Sequence, residues 1–135
     1  MANFNLSTIV PELEDFVDVV ARRFTLGTFV RTQKKAPVDE GRFRSSIIVS
    51  LNTPNASQAT RANPSPLGGI DPTALSAATS IINGFSITKD RSLHIQSNLP
   101  YAERIENGFS GQAPAGVFKA SVREELEAFN SYGDN

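Results

Sequence analysis

The stretch from about Val10 to Lys35 has apolar side chains at every third or fourth position: Leu13, Phe16, Val17, Val20 and Phe24. This spacing puts them on one face of a helix, which we expect to be buried. Pro11 suits the first turn of this helix, and Pro37 requires that it ends near Lys35. Phe29 and Val30 lie off the stripe, which indicates contact with a second layer of the chain or with a neighbouring subunit.

The pattern changes after Pro37. Asp39 can accept the first N–H groups of a short helix that includes Arg44 and Ser46, and the β-prone residues 47–51 then predict a strand. From Asn52 to Gly69 the chain is rich in Asn, Pro, Ser, Ala, Thr and Gly, which predicts a long loop at about 52–70. Such a loop is usually functional, disordered or docked on a partner. We expect it to be mobile in the free subunit, because it offers little apolar surface to offset its ordering.

Further elements follow the loop. Asp71 and Pro72 mark the start of a helix with an apolar stripe (Leu75, Ala78, Ile81 and Ile82), and Asn83-Gly84 marks its end. Residues 85–88 and 93–96 alternate apolar and polar side chains around Lys89-Asp90-Arg91-Ser92, which predicts a hairpin. Its apolar face would carry Phe85, Ile87, Leu93 and Ile95. His94 would lie on the opposite, exposed face.

The last third predicts two helices. A short helix up to about Glu106 ends at Asn107-Gly108, and an amphipathic helix follows Pro114. We expect the final helix to bury Val117, Phe118, Val122, Leu126 and Phe129, and to turn Lys119, Arg123, Glu124, Glu125 and Glu127 to water. The whole is predicted to be α+β, with a small antiparallel sheet of about three strands packed by a long N-terminal helix and a C-terminal helix. With 135 residues it would form a single domain, 1–135.

Composition narrows the classes of function. The chain has 39% hydrophobic and 20% charged residues and no apolar run near the roughly 18 residues of a membrane span. Its first residues have neither a basic opening nor an apolar signal core, so we expect no secretion. With no cysteine and one histidine, it lacks the residues for disulfides, thiolate chemistry and most zinc sites. We expect neither an enzyme nor a metal or cofactor site, although a small hydrolase using Glu103 and Glu106 remains an alternative.

Charge is unevenly distributed. The net charge of -1 argues against a general polyanion binder. Residues 12–18 carry four acids and no base, whereas residues 22–44 carry seven bases and only two acids. One interpretation is a solvated helix whose charges complement its dipole. The other is a charged contact surface, and a nucleic-acid-binding module using the basic 22–44 stretch is the alternative function.

Two segments, about fifty residues apart, stand out. The first reads Ala-Pro-Val-Asp-Glu-Gly-Arg-Phe-Arg-Ser-Ser over residues 36–46, and the second reads Asn-Leu-Pro-Tyr-Ala-Glu-Arg-Ile-Glu-Asn-Gly over residues 98–108. Together they resemble the neck or tail-completion (minor tail component, head-tail joining) family of long-tailed bacteriophages. The matching residues are Pro37, Val38, Asp39, Gly41, Arg42, Arg44, Ser46, Asn98, Pro100, Tyr101, Ala102, Glu106 and Gly108. Residues 109–117 are also similar to a subgroup with Ser-x-Gln-Ala-Pro-x-Gly, while Glu40 and Phe43 replace the usual threonine and leucine.

The resemblance implies a structural virion protein that joins the capsid connector to the tail as a ring of subunits. Its partners would then be further copies of itself and phage head-closure, tail-terminator or tail-tube proteins, and its location would be the virion neck or tail, assembled in the host cytoplasm. The predicted interface or structural motif residues are Pro37, Asp39, Gly41, Arg42, Arg44, Pro100, Tyr101, Glu103, Glu106 and Gly108. Arg42 and Arg44 could form charge-assisted bonds to Glu103 or Glu106, within the subunit or across an interface. Tyr101 could be an interface anchor.

Overall fold

The structure is a computed structural model that describes residues 6–38, 42–55, 57, 63, 66–108 and 110–133. The elements in chain order are α1 (Leu6–Lys35), α2 (Arg42–Ser46), β1 (Ile47–Leu51), α3 (Pro72–Asn83), β2 (Leu93–Ser97), α4 (Ala102–Glu106) and α5 (Phe118–Gly133). The predicted α+β class, with a long N-terminal helix and a C-terminal helix, is therefore confirmed. Helix α1 begins at Leu6, before the predicted start, so Pro11 lies inside it.

The sheet differs from the prediction in strand number and in pairing. Among the described residues it has two strands, and β2 pairs antiparallel with β1 in a register running from Ile47 opposite Ser97 to Leu51 opposite Leu93. Residues 85–88 form no strand, so the predicted hairpin is wrong. In this segment the backbone N–H groups donate to side-chain carboxylates instead of to a second strand. Ile87 N–H donates to Asp18 at 2.7 Å, and Ser86 N–H donates to Asp90 at 2.9 Å.

The core lies where the C-terminal half of α1, helix α3 and the sheet meet. Phe29, Ile47, Ile82 and Val117 are at most 1% exposed and form its centre. Helix α5 packs along α1, where the rings of Phe24 and Phe129 lie edge to face with centroids 5.5 Å apart. This packing holds α1 to the body of the domain through its second half.

Helix α3 has the predicted boundaries. The side chain of Asp71 accepts a hydrogen bond from the Thr73 N–H at 3.0 Å, and Pro72 occupies the first turn. Ala74, Ala78 and Ile82 form its buried face, whereas Ile81, predicted to be buried, is 37% exposed.

Helix α5 is rotated relative to the prediction. Val122 and Leu126 are 43% and 50% exposed, whereas the Glu125 side chain is largely covered by α1 and Glu124, 40% exposed, also binds α1. The cations of α1 explain this rotation, because Arg31 Nε lies 2.8 Å from Glu125 and Lys35 Nζ lies 2.6 Å from Glu124. Gly27 allows the close approach, since a Cβ atom there would overlap the Glu125 carboxylate.

His94, predicted to be exposed, is half-buried on β2. One of its ring nitrogens, Nε2, lies 2.9 Å from the Ser92 hydroxyl. This contact occupies the imidazole within the chain.

Candidate assembly interface

The fold brings together the two segments that carry the family resemblance. Ala36 and Phe43 of the first segment are buried in the same hydrophobic cluster as Leu99 and Ile105 of the second. Two residues that flank the second segment also bond the first: the Ser46 and Ser97 hydroxyls are 2.6 Å apart, and the Val38 N–H donates to Gln112 Oε1 at 2.7 Å. Pro37 is half-buried beside this contact. Of the predicted motif residues, Asp39 and Gly41 lie outside the described residues, so the proposed cap at Asp39 has no structural description.

The two arginines of α2 have different environments. Arg42 is exposed, whereas Arg44 is 0% exposed. The Arg44 guanidinium donates to the carbonyl of Pro66 at 2.9 Å, to Asn63 Oδ1 at 3.0 Å and, more weakly, to the carbonyl of Gln33 at 3.4 Å. Burial lowers the pKa of Arg44, and the negative charge of Asp71 partly opposes this shift.

Arg44 therefore supports the long loop from inside the domain. Its burial leaves no surface for a bond to Glu103 or Glu106 of another subunit. The other end of the loop is also held, because the Asn98 side-chain amide donates to the carbonyls of Asn55 and Ser57, both at 2.6 Å. Asn55, Ser57, Asn63 and Pro66 of the loop thus have hydrogen-bond partners within the same chain. Residues 56, 58–62, 64 and 65 lie outside the described residues, so the expectation that the loop is mobile in the free subunit stays a prediction.

Glu106 also has an internal role. Its Oε1 accepts hydrogen bonds from the N–H groups of Val117 (2.6 Å) and Phe118 (2.8 Å), and its Oε2 accepts from Lys119 (3.1 Å). A carboxylate at this position satisfies free N–H groups at the start of α5 and complements the helix dipole. Glu103, in the first turn of α4, is exposed. The described contacts therefore place Glu106 in helix capping rather than in a carboxylate pair with Glu103.

The remaining motif residues surround α4. Pro100 is exposed and Tyr101 is 38% exposed immediately before the helix, so the aromatic ring is accessible. Gly108 follows α4 with φ 87°, and a Cβ there would come within 2.6 Å of the Pro114 carbonyl oxygen. Only glycine fits this turn without strain, which explains the glycine of the second segment in physical terms.

Several cations of the basic 22–44 stretch are engaged within the chain. Arg22 donates to the Phe85 carbonyl at 2.6 Å, and Arg31 and Lys35 bind the α5 glutamates. Hydrogen bonding to Glu125 raises the pKa of Arg31, although burial works against the shift. The hydrogen bond from Lys35 lowers the pKa of Glu124, with partial burial acting in the opposite direction. Within the described part of the stretch, the exposed cations are Arg23, Lys34 and Arg42.

Five of the large apolar side chains that the structure describes as exposed lie on the first half of α1. The exposed fractions are Val10 43%, Leu13 54%, Phe16 65%, Val17 42% and Val19 48%. Asp18 and Arg22 bind the 85–87 segment. Residues 6–17, which we call the α1 arm, precede these contacts and span about 18 Å of helix. Leu13, Phe16 and Val17 belong to the stripe predicted to be buried, and that expectation is wrong.

The described residues include no group of three or more His, Asp or Glu side chains placed to hold a metal ion. None of the described helices combines the length and apolar character required to cross a membrane. Comparisons with protein-family models, curated proteins and solved structures find no match to this chain.

Proposed function

We propose that this chain is a structural virion protein of the neck or tail-completion type. Several copies would form a ring that joins the capsid connector of a long-tailed phage to its tail. In this role the protein acts through its surfaces and carries out no reaction.

The exposed apolar arm of α1 is the observation on which the proposal depends. Leu13, Phe16 and Val17 are 42–65% exposed and follow one another along the same side of the helix. A contiguous apolar surface on a small domain is typical of a protein–protein contact. An assembly component needs such a surface.

The position of the resembling segments supports the same function. Ala36 and Phe43 of the first segment are buried in the same hydrophobic cluster as Leu99 and Ile105 of the second, so the two segments form one region of the fold. On the surface of the second segment, Tyr101 is accessible and Glu103 is exposed. This region is a second candidate contact surface, separate from the α1 arm.

Nucleic-acid binding through residues 22–44 has less support. Arg44 is buried, and Arg22, Arg31 and Lys35 bind oxygen atoms of the same chain. Phosphate contacts would make DNA affinity fall with salt, with a slope that scales with their number. A flat salt dependence would therefore exclude this alternative.

The decisive experiment removes the protein from the phage that encodes it. An amber mutant grown without suppression should accumulate full heads and complete tails that are not joined, visible by electron microscopy. Wild-type protein from a plasmid should restore joining, and mass spectrometry should find the chain in purified wild-type virions. Joined, infectious particles without the protein would contradict the proposal.

A further inference from the structure

One face of α1 carries a continuous seam, which we call the outer seam. Its positions recur every three or four residues along the helix: Phe16, Val19, Arg23, Leu26, Val30 and Lys34. Phe16 and Val19 are 65% and 48% exposed. The last four residues line an open groove with a volume of about 490 Å³ beside α5. The seam therefore has an exposed apolar half and a grooved half.

Charge divides the outer seam in the same way. Glu12 and Asp15 flank its first half and are exposed, whereas Arg23 and Lys34 are exposed along its second half. No described residue forms an ion pair with any of these four side chains. One half of the seam is thus acidic and the other basic, and both lack neutralising partners in the described part of the subunit.

We propose that the outer seam binds the outer seam of a second copy of this chain, with the two α1 helices antiparallel. This orientation places Glu12 of each helix opposite Lys34 of the other, while Arg23 lies near the two-fold axis, opposite its own counterpart. Phe16 and Val19 of one copy then cover the groove lined by Leu26 and Val30 of the other. The pair is isologous, so each dimer contains this contact twice.

The charge pattern of the outer seam favours an antiparallel second copy over a parallel copy, a membrane or a nucleic acid. An in-register parallel pair would bring Glu12 and Asp15 next to their own counterparts, which like-charge repulsion disfavours. An anionic membrane or a nucleic acid would meet the same acids on the most exposed part of the seam, and helices that bind such membranes are usually rich in Lys and Arg. A second copy supplies both the bases and the apolar groove. The dimer contact uses Phe16 of the α1 arm, a residue of the surface on which the proposed neck function also depends. The two are tested by different measurements: dimerisation of the free protein here, and the joining of heads to tails for the neck function.

Charge exchange tests the pair on the full chain. Sedimentation velocity should show the parent protein as a dimer that dissociates on dilution. The variants Glu12→Lys/Asp15→Lys and Arg23→Glu/Lys34→Glu should each raise the dimer dissociation constant at least about tenfold. Mixing the two variants should produce a heterodimer. The basic arm of the first variant would face the acidic groove of the second, and the unchanged acidic arm of the second would face the unchanged basic groove of the first.

The control is Glu103→Lys/Glu127→Lys, which changes the net charge as much as the arm variant but lies on exposed positions of α4 and α5. It should leave dimerisation unchanged. Circular dichroism should show all variants folded, since every substituted side chain is exposed. A parent protein that stays monomeric, variants that still dimerise, or a mixture without heterodimer would overturn the proposal. Open-ended oligomers of the parent would also overturn it, because they require a staggered, head-to-tail contact.

Discussion

Gln33 and Arg44 hydrogen-bond each other across the junction of α1 and α2. Gln33 Nε2 donates to the Arg44 carbonyl at 2.9 Å, and Arg44 Nε donates to the Gln33 carbonyl at 3.4 Å. Gln33 Oε1 also accepts from the Asp71 N–H at 3.0 Å, which ties in the start of α3. Both side chains are 0% exposed. This buried polar junction orients three helices and the end of the loop, so its loss should affect the whole domain.

Replacing Arg44 tests that junction directly. Arg44→Ala should lower the free energy of unfolding by about 3 kcal/mol or more, because buried acceptors lose their donors and a cavity remains. Arg42→Ala, two positions earlier on the same short helix, should change it by less than about 0.5 kcal/mol because that side chain is exposed. Urea denaturation of both variants measures the difference. Equal effects would contradict the assignment of Arg44 as a buried structural residue.

The cap of α5 provides a second test. Glu106→Ala removes the acceptor for three N–H groups and should cost about 1–2 kcal/mol of stability. Glu103→Ala, on the same helix α4 but exposed, is the matched control and should be nearly neutral. Thermal unfolding followed by circular dichroism reports both. If the two variants unfold at the same temperature, the capping role is wrong.

The glycine before α5 is a third test. Gly116 has φ 84°, and a Cβ there would lie 2.5 Å from the Glu106 carbonyl oxygen. Gly116→Ala should therefore destabilise the domain by about 2 kcal/mol or more, through backbone strain and overlap. Gly111→Ala is the control in the same connector, since a methyl group there would meet no atom within 4 Å. Chemical denaturation should separate the two, and a neutral Gly116→Ala would contradict the described backbone.

Acid should weaken the contact between the β1 end and the 86–90 turn. The Ser86 N–H and the Asn52 amide both donate to Asp90 and lower the pKa of its carboxyl group. Because the folded-state pKa is depressed, this stabilisation is present above the unfolded value of about 3.9 and is lost as the pH falls through the lower folded value. Asp90→Asn should flatten this acid limb of the stability profile, measured by urea unfolding at a series of pH values. An unchanged limb in Asp90→Asn would disprove the role.

The sequence predicts elements whose signals are local. Asp71-Pro72 marks the start of α3 because the cap and the first-turn proline act within a few residues, and Pro37 similarly explains the end of α1. The hairpin prediction failed because alternation in residues 85–88 does not reveal that Asp18, far away in sequence, takes the Ile87 N–H. The prediction that the apolar stripe of α1 is buried failed for a related reason. Periodicity shows that a face is apolar but not whether another element covers it.

The candidate site was partly predictable. The family resemblance of residues 36–46 and 98–108 pointed to the region around Tyr101 and Gly108. The structure shows that these two segments adjoin. Sequence spacing could not distinguish Arg42 from Arg44, because two residues on one short helix point in different directions and burial depends on the loop they meet. It also could not assign Glu106 to α5, since that contact depends on how the connector turns at Gly116.

The packing of α1 on α5 has a consequence for synthesis on the ribosome. Arg31 and Glu125, which pair at 2.8 Å, are 94 positions apart, so α1 cannot complete its contacts until α5 has emerged from the ribosome. Until then the second half of α1 also lacks its cover, and the nascent chain presents apolar surface along nearly the whole helix. Contacts of such long sequence separation form slowly, which lengthens this interval. The domain is therefore most vulnerable to aggregation and to chaperone capture between the synthesis of α1 and that of α5, and slowing translation across α5 should prolong that state.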